Sequence, residues 1–196
     1  ARDKWLVSGG VLLPNRASLQ LRLSEHSELA FWDSVYGFDM ANIGAASNLE
    51  VEADVRVVPA EASLSAQATF HELNLMTCSE ADLDFSAPFS LQVVRDGTLR
   101  SFIGSFETAF DLTAVGGRSL VLRTGVDDTP THWQQTIFHL RAPERVSVQS
   151  GETVRGTIGV ARATGGRRDL DVSIQWSVLD TTGSVRVKER VQLWKV

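Results

Sequence analysis

The residues with the greatest chemical potential in this sequence are a neighbouring histidine and tryptophan, His132 and Trp133. A turn of polar residues, 127–130, precedes them, Thr131 completes a Thr-His-Trp triplet, and an apolar run, 136–140, follows. We therefore expect the triplet at a junction between a loop and a strand, where a rigid scaffold can hold an imidazole and an indole. A histidine in that position more often serves the fold than a reaction, so the remaining sequence has to decide its role.

Other kinds of active site find little support in the sequence. The four histidines, His26, His71, His132 and His139, fall in different predicted elements without the spacing of metal ligands, and the single cysteine, Cys78, has no partner thiol. Neither a glycine-rich phosphate loop nor a nucleophile elbow is present. We therefore expect no metal site and no complete active site, only one wall of a site whose nucleotide-binding part lies elsewhere.

Composition narrows the class of protein and its partners. With 196 residues, of which 43% are hydrophobic, the sequence predicts one globular domain. The net charge of −5 argues against nucleic acid and favours a basic ligand, and no apolar stretch is long enough for a membrane span. A lone cysteine indicates a reducing compartment, so we expect a cytoplasmic or nuclear location. The charged opening, 1–6, is typical of the last turn of a helix and suggests a fragment.

Hydrophobic periodicity predicts an all-β fold. Alternation over 16–24 indicates a half-buried strand with Leu19, Leu21 and Leu23 inward, and 169–178 alternates in the same way. In the last strand we expect four apolar residues to share one face: Val185, Val187, Val191 and Leu193. The dipeptide 96–97, Asp-Gly, predicts a hairpin between its flanking strands. About ten such strands predict an antiparallel β-barrel or sandwich in a single domain.

One early segment interrupts the strands. Large apolar residues there recur at helical spacing before Gly37, and two more follow it: Phe31, Trp32, Val35, Tyr36, Phe38 and Met40. A short helix of this kind can cap the end of a barrel. It can equally form an arm that buries its rings against another molecule.

Five blocks of the sequence resemble the C-terminal β-barrel of the protein arginine methyltransferases. In the family's order and spacing they are 1–6, 14–17, 31–40, 131–136, and 156–159 followed by 168–171. Together they span nearly the whole chain. The Thr-His-Trp form is similar to the type I branch, which makes asymmetric dimethylarginine.

The resemblance implies an architecture. Members join a domain that binds S-adenosylmethionine to this barrel, and the substrate arginine lies in the cleft between them. Residues 1–14 would then be the end of a cofactor-domain helix and the linker, with Pro14 in the cis form. Residues 15–196 would be the barrel, with an arm at about 24–48.

The resemblance also implies roles for residues. His132 would pair with an acidic residue of the cofactor domain, while Thr131 and Trp133 would line the arginine channel. The six apolar residues of the early segment, Phe31 to Met40, would form a dimerisation arm for a second copy or a related methyltransferase subunit. Expected substrates are arginine- and glycine-rich proteins, such as histones or RNA-binding proteins.

The motifs that hold S-adenosylmethionine in the family do not match any part of this sequence. We therefore expect the chain alone to bind no cofactor and to be inactive. Two alternatives stay open: a catalytically silent regulatory relative, and a β-barrel binding module unconnected to any enzyme.

Overall fold

The computed structural model describes residues 2–27, 32, 34–47, 53–163 and 168–196. Among these residues, the helices with defined bounds are α1 (Arg2–Trp5) and α2 (Ala41–Ser47), and short 3₁₀ turns lie at Ala60–Ala62, Glu80–Leu83, Thr113–Val115 and Ala142–Glu144. Its strands are β1 (Arg16–Ser24), β2 (Ala53–Arg56), β3 (Ala68–Asn74), β4 (Phe85–Gln92), β5 (Gly97–Leu99), β6 (Ser101–Asp111), β7 (Ser119–Arg123), β8 (Gln135–His139), β9 (Val146–Val148), β10 (Thr153–Arg162), β11 (Leu170–Leu179) and β12 (Val185–Lys195). None of the helices in the described ranges is long and apolar enough to cross a membrane.

The strands are paired antiparallel, which confirms the predicted fold class. One sheet has the order β2-β8-β6-β1-β3, with β7 also on β6; a second has the order β12-β11-β10-β4; β5 and β9 form a small third sheet. The described residues thus contain twelve strands in three sheets, where the sequence predicted about ten. Side chains join β12 to β8, because Gln192 Nε2 and Trp194 Nε1 both donate to the carbonyl oxygen of His139, at 2.8 and 3.0 Å.

The main core lies between the two larger sheets. Phe102 of β6 meets Trp176 of β11 edge to face at 5.5 Å, and Phe138 of β8 meets Trp194 of β12 in the same way. These aromatic side chains are buried. Each contributes about 1.5–3 kcal/mol through removal from water. The inward alternation predicted for β11 is confirmed from Val172 to Val178.

Strand β1 is buried on both faces over its second half. The leucines at 21 and 23 point into the main core, but Gln20, Arg22 and Ser24 are buried as well. The segment 57–65 covers this other face, and Ser24 Oγ donates to the carbonyl oxygen of Ala62 at 3.0 Å. The prediction of a half-buried strand is therefore wrong here, because a loop that follows much later in the chain packs on the polar side.

The four residues predicted to share one face of β12 do not share it, because Val187 packs against the main core whereas Val185 is exposed. Two register shifts between β11 and β12, opposite Trp176 to Leu179, each place one additional residue in β12. Such a bulge moves every later side chain to the opposite face. In consequence Val191 and Leu193 are exposed, whereas Gln192 and Trp194 are buried.

The predicted hairpin at 96–97 is also wrong. Strand β4 pairs with β10, and Gly97 begins β5, which pairs with β9. The Asp96 carboxylate instead accepts a hydrogen bond from the backbone N–H of Ser150 at 2.8 Å. A long-range partner therefore displaces the local pairing that the turn residues predicted.

The early segment is built differently from the predicted helix. Val35 and Phe38 exchange backbone hydrogen bonds at 2.9 and 3.0 Å across a tight turn, in which Tyr36 and Gly37 both have positive φ angles. Trp32 is helical, as predicted, but the chain has left the helix by Val35, and α2 begins only at Ala41. The predicted helical position of Val35 and Tyr36 is therefore wrong, and Phe31 lies outside the described residues.

Candidate functional site

The Thr-His-Trp triplet lies in the loop between β7 and β8, as its sequence context predicted. At the start of the loop, Thr124 exchanges hydrogen bonds with the backbone of Phe106 in β6, at 3.0 and 3.1 Å. At its end, the N–H of Gln134 donates to the carbonyl oxygen of Thr131 at 3.1 Å, and Gln134 has a φ of 54°. This tight turn fixes the path of the chain from the triplet into β8.

An ion pair fastens the middle of this loop to β1. The buried Arg22 guanidinium donates from both terminal nitrogens to the Asp127 carboxylate, and its Nη1 also donates to Ser63 Oγ at 2.9 Å. These hydrogen bonds, with the positive charge of Arg22, hold the pKa of Asp127 below its ordinary value. The loop is therefore tied to the centre of the larger sheet four residues before the triplet begins.

A buried glutamine closes the loop at its base. Gln135 Nε2 donates to the carbonyl oxygen of Thr124 at 2.8 Å, and its Oε1 accepts from the N–H of Val58 at 2.9 Å. The two ends of the loop are thereby held together by one side chain. Sequence analysis missed both Gln135 and Arg22 as positioning residues. No local pattern marks either residue, because Arg22 lies on the polar side of an alternating strand and Gln135 follows another glutamine directly after the triplet.

The two rings of the triplet form a lip at the surface. Their centroids are 4.2 Å apart, and the Trp133 indole also meets Phe106 edge to face at 6.0 Å. Trp133 is 49% exposed and His132 is exposed. Thr131 Oγ1 is buried and has no hydrogen-bond partner among the described residues. The lip therefore presents two groups to a bound molecule: the flat indole ring of Trp133, and the imidazole of His132, which can donate or accept a hydrogen bond.

The other histidines do not join this lip. His71 stacks on Phe85 with ring centroids 3.7 Å apart, while His26 and His139 lie 6.4 Å from each other. Within the described part of the chain, no three His, Cys, Asp or Glu side chains come close enough to hold a metal.

Behind the lip lies an apolar cavity of about 310 Å³. Trp133 forms part of its wall together with inward-facing side chains of both larger sheets, among them Phe70, Phe106 and Val160. The described residues that line the cavity carry no ionisable side chain. The indole thus borders both the apolar cavity and the outer surface.

The segment between β1 and β2 presents apolar rings to solvent. Tyr36 is 97% exposed and Phe38 is 68% exposed at the tight turn. Trp32 packs over Gly44 of α2, where an added Cβ would lie 2.4 Å from the indole Cγ, and the N–H of Met40 donates to the carbonyl oxygen of Trp32 at 2.9 Å. A surface of this kind is typical of a site that binds another protein.

Comparison with known proteins identifies the family. The sequence pattern that defines the arginine methyltransferase oligomerization subdomain matches residues 15–181. The chain belongs to this family. Protein arginine N-methyltransferase 1.1 of Arabidopsis thaliana is 33% identical over 91% of this chain and 45% of its own length. Ribosomal protein arginine N-methyltransferase rmt3 of Schizosaccharomyces pombe is 34% identical over 91% of this chain and 34% of its own length.

The fold of this arginine methyltransferase subdomain is shared with a solved complex from Trypanosoma brucei. That structure is a PRMT1 enzyme–prozyme heterotetrameric complex with AdoHcy. It superimposes with a TM-score of 0.81 at 22% identity, over all of this chain and 61% of that chain. The likeness shows the shared fold. Against the curated relatives, the chain spans only about a third to a half of their length.

The first residues of the arginine methyltransferase subdomain are held firmly against the sheet. The peptide bond between Leu13 and Pro14 is cis, as the resemblance implied. Asn15 then exchanges two hydrogen bonds with the backbone of Asp111, at 2.7 and 3.0 Å. Arg2 of α1 donates to carbonyl oxygens in the turn after β3, at 2.7 and 3.2 Å. The chain therefore approaches β1 along a defined path.

Proposed function

We propose that this chain is the substrate-facing and dimer-forming barrel of an S-adenosylmethionine-dependent protein arginine methyltransferase that makes asymmetric dimethylarginine. The observation that carries the proposal is the braced lip, on which Trp133 is half exposed and His132 is exposed. An indole left half in water on a loop fastened by Arg22 and Gln135 is well placed to meet a ligand.

The geometry of the lip suits a guanidinium group. The face of an indole attracts a flat cation, and Arg is the side chain that most often takes such a position. Trp133 would orient the substrate arginine in this way, while His132 would hydrogen-bond an acidic group of the rest of the longer protein. Orientation matters because transfer of a methyl group to a guanidinium nitrogen depends mainly on alignment and electrostatics.

S-adenosylmethionine would supply the reactive methyl group on its sulfonium. The residues of this chain do not fit that cofactor, because the sequence contains no glycine-rich nucleotide loop. We place its site in the part of the longer protein that the curated relatives have beyond the matched region. The chain alone would then transfer no methyl group.

The segment after β1 would act as the dimerisation arm. Tyr36 and Phe38 at its turn expose ring surface that would be removed from water on docking to a second subunit. The subdomain's description as an oligomerization unit supports this role. The partner would be a second copy or a related methyltransferase subunit.

The test is a methyl-transfer assay with an arginine- and glycine-rich peptide and the longer protein. Trp133→Ala should lower kcat/KM by about tenfold, the equivalent of a lost cation–π contact of about 1.4 kcal/mol, while Trp133→Phe keeps most of the activity. Leu120→Ala, an exposed apolar control on the preceding strand, should change nothing. Unchanged kcat/KM in Trp133→Ala would refute the proposed role of the lip. Mass spectrometry of the product tests for asymmetric dimethylarginine.

A second candidate is a catalytically silent subunit that activates a partner. The enzyme–prozyme assembly of the similar Trypanosoma brucei fold favours its consideration, as does an arm that exposes rings independently of the lip. In that case the longer protein would transfer no methyl group alone but would stimulate an active relative. Addition of the protein to such a relative, with and without Tyr36→Ser, separates the two functions.

A further inference from the structure

The apolar cavity behind Trp133 is bordered by the same indole that is half exposed on the outer surface. Its volume of about 310 Å³ is at the lower end of the range of ligand sites in proteins. Inward-facing side chains of the two larger sheets form its wall, to which Phe70, Phe106 and Phe138 contribute aromatic rings. The chamber is therefore large enough for one ring-sized group.

The mouth of this cavity is edged by apolar side chains that remain partly in water. Trp133 and Val55 stand on the side of the six-stranded sheet, and Leu170 and Val196 stand on the other side. Two backbone hydrogen bonds, at 2.7 and 2.9 Å, join Leu170 and Val196 to each other. Exposed apolar groups around a concave mouth gain free energy when an apolar ligand covers them.

The chemistry of the lining disfavours a cationic occupant. None of the described residues around the cavity has an ionisable side chain, so a guanidinium or ammonium group inside would lose hydration without gaining a charged side-chain partner. An uncharged apolar group has no such cost, so the lining favours an apolar occupant over a cationic one.

We propose that this cavity receives an apolar aromatic side chain of the protein substrate, a few residues from the arginine that is methylated. The inference rests on the proposed function, because Trp133 is both the wall that orients the arginine and part of the wall of the cavity. The indole of Trp133 would then contact two side chains of the same peptide: the arginine on its outer side and the aromatic ring on its inner side. Substrate selection depends on both features.

The experiment compares single-arginine peptides with the longer protein. A phenylalanine replaces serine in turn at each position within roughly four residues of the arginine, a reach of about 13 Å in an extended chain. At one favoured spacing, phenylalanine should lower KM about tenfold, since most of a ring is removed from water and part of this gain offsets its ordering. The turnover number should stay unchanged.

Two variants place a charge at the mouth of the cavity, and one matched variant places it elsewhere. Val196→Asp and Leu170→Asp should abolish the preference for phenylalanine while leaving the KM of the serine peptide unchanged. Val191→Asp, on an exposed face of β12 away from the cavity, should retain the preference. Thermal unfolding of all three variants identifies any loss of folding, and either mouth variant suffices for the comparison.

The outcomes separate the inference from the proposed function. Methylation of the serine peptide without any gain from phenylalanine overturns the inference alone. A preference that survives equally in Val196→Asp, Leu170→Asp and Val191→Asp also overturns it, because the ring would then bind elsewhere. Absence of methyl transfer to every peptide overturns the proposed function and the inference together.

Discussion

Substitution of Asp127 by Asn should loosen the loop that carries the lip. In the folded chain, the Asp127 carboxylate accepts hydrogen bonds from both terminal nitrogens of Arg22, whose side chain is only 7% exposed. Removal of one partner of a fully buried ion pair costs about 3–5 kcal/mol. The Asp127 side chain is 66% exposed, however, so water replaces part of the lost interaction. We expect a loss of about 1–2 kcal/mol in the free energy of unfolding at pH 7.

The loss of unfolding free energy in Asp127→Asn should become smaller at low pH. Arg22 lowers the pKa of Asp127 in the folded state below its ordinary value of 3.8. A carboxyl whose pKa is lower when folded stabilises the fold above its unfolded pKa. This stabilisation disappears as pH falls from 3.8 through the folded pKa. The difference between the original chain and Asp127→Asn should therefore be constant from about pH 5 upward and shrink below pH 3.8.

Urea unfolding followed by tryptophan fluorescence measures both effects. Glu107→Gln is the matched control, because Glu107 pairs with Arg123 at 3.1 Å on the surface of the same sheet. That exposed pair should contribute less than about 0.5 kcal/mol. If Asp127→Asn unfolds with the same free energy as the original chain at pH 7, or if its deficit persists undiminished at low pH, the ion pair does not hold the loop.

Three further predictions concern the sheets, the arm and the chain as a whole. Gly156→Ala should lower the free energy of unfolding by about 3 kcal/mol or more in urea titrations, because the added Cβ would lie 1.8 Å from the carbonyl oxygen of Gln175. The control is Gly183→Ala in an open turn, which should cost only about 1 kcal/mol of backbone strain. Gly44→Ala should displace Trp32 and raise the dimer Kd in sedimentation equilibrium, whereas Gly183→Ala leaves that Kd unchanged. The chain alone should show only background transfer of radiolabelled methyl groups, and clear incorporation would contradict the assignment of the cofactor site to the longer protein.

The position of the lip could be predicted from the sequence. A polar turn before Thr131 and an apolar run after Trp133 mark a junction between loop and strand, and the structure confirms that junction. The roles of these residues in catalysis stay predictions. The residues that brace the loop could not be found, because Arg22 and Asp127 are 105 positions apart and neither belongs to a local motif.

In the arm, the apolar spacing of the residues did not predict the local conformation of the chain. The apolar spacing from Trp32 to Tyr36 fits a helix, yet Tyr36 and Gly37 adopt positive φ angles and turn the chain back on itself. Glycine adopts that conformation without strain, and a turn that needs it overrides a weak helical preference. Tyr36 and Phe38 are exposed at this turn, which the helical spacing did not predict.

The sequence by itself determined the all-β class, the inward faces of the regular strands and the place of the triplet, because each depends on local periodicity and turn chemistry. Only the tertiary structure decided which strands pair, whether the polar face of β1 is covered, and where register shifts move the side chains of β12 to the opposite face. These features arise from contacts between segments distant in the chain, and the free energy of such contacts is not encoded in any single stretch of residues. The cavity behind Trp133 is of the same kind, since its walls come from seven strands that meet only after folding.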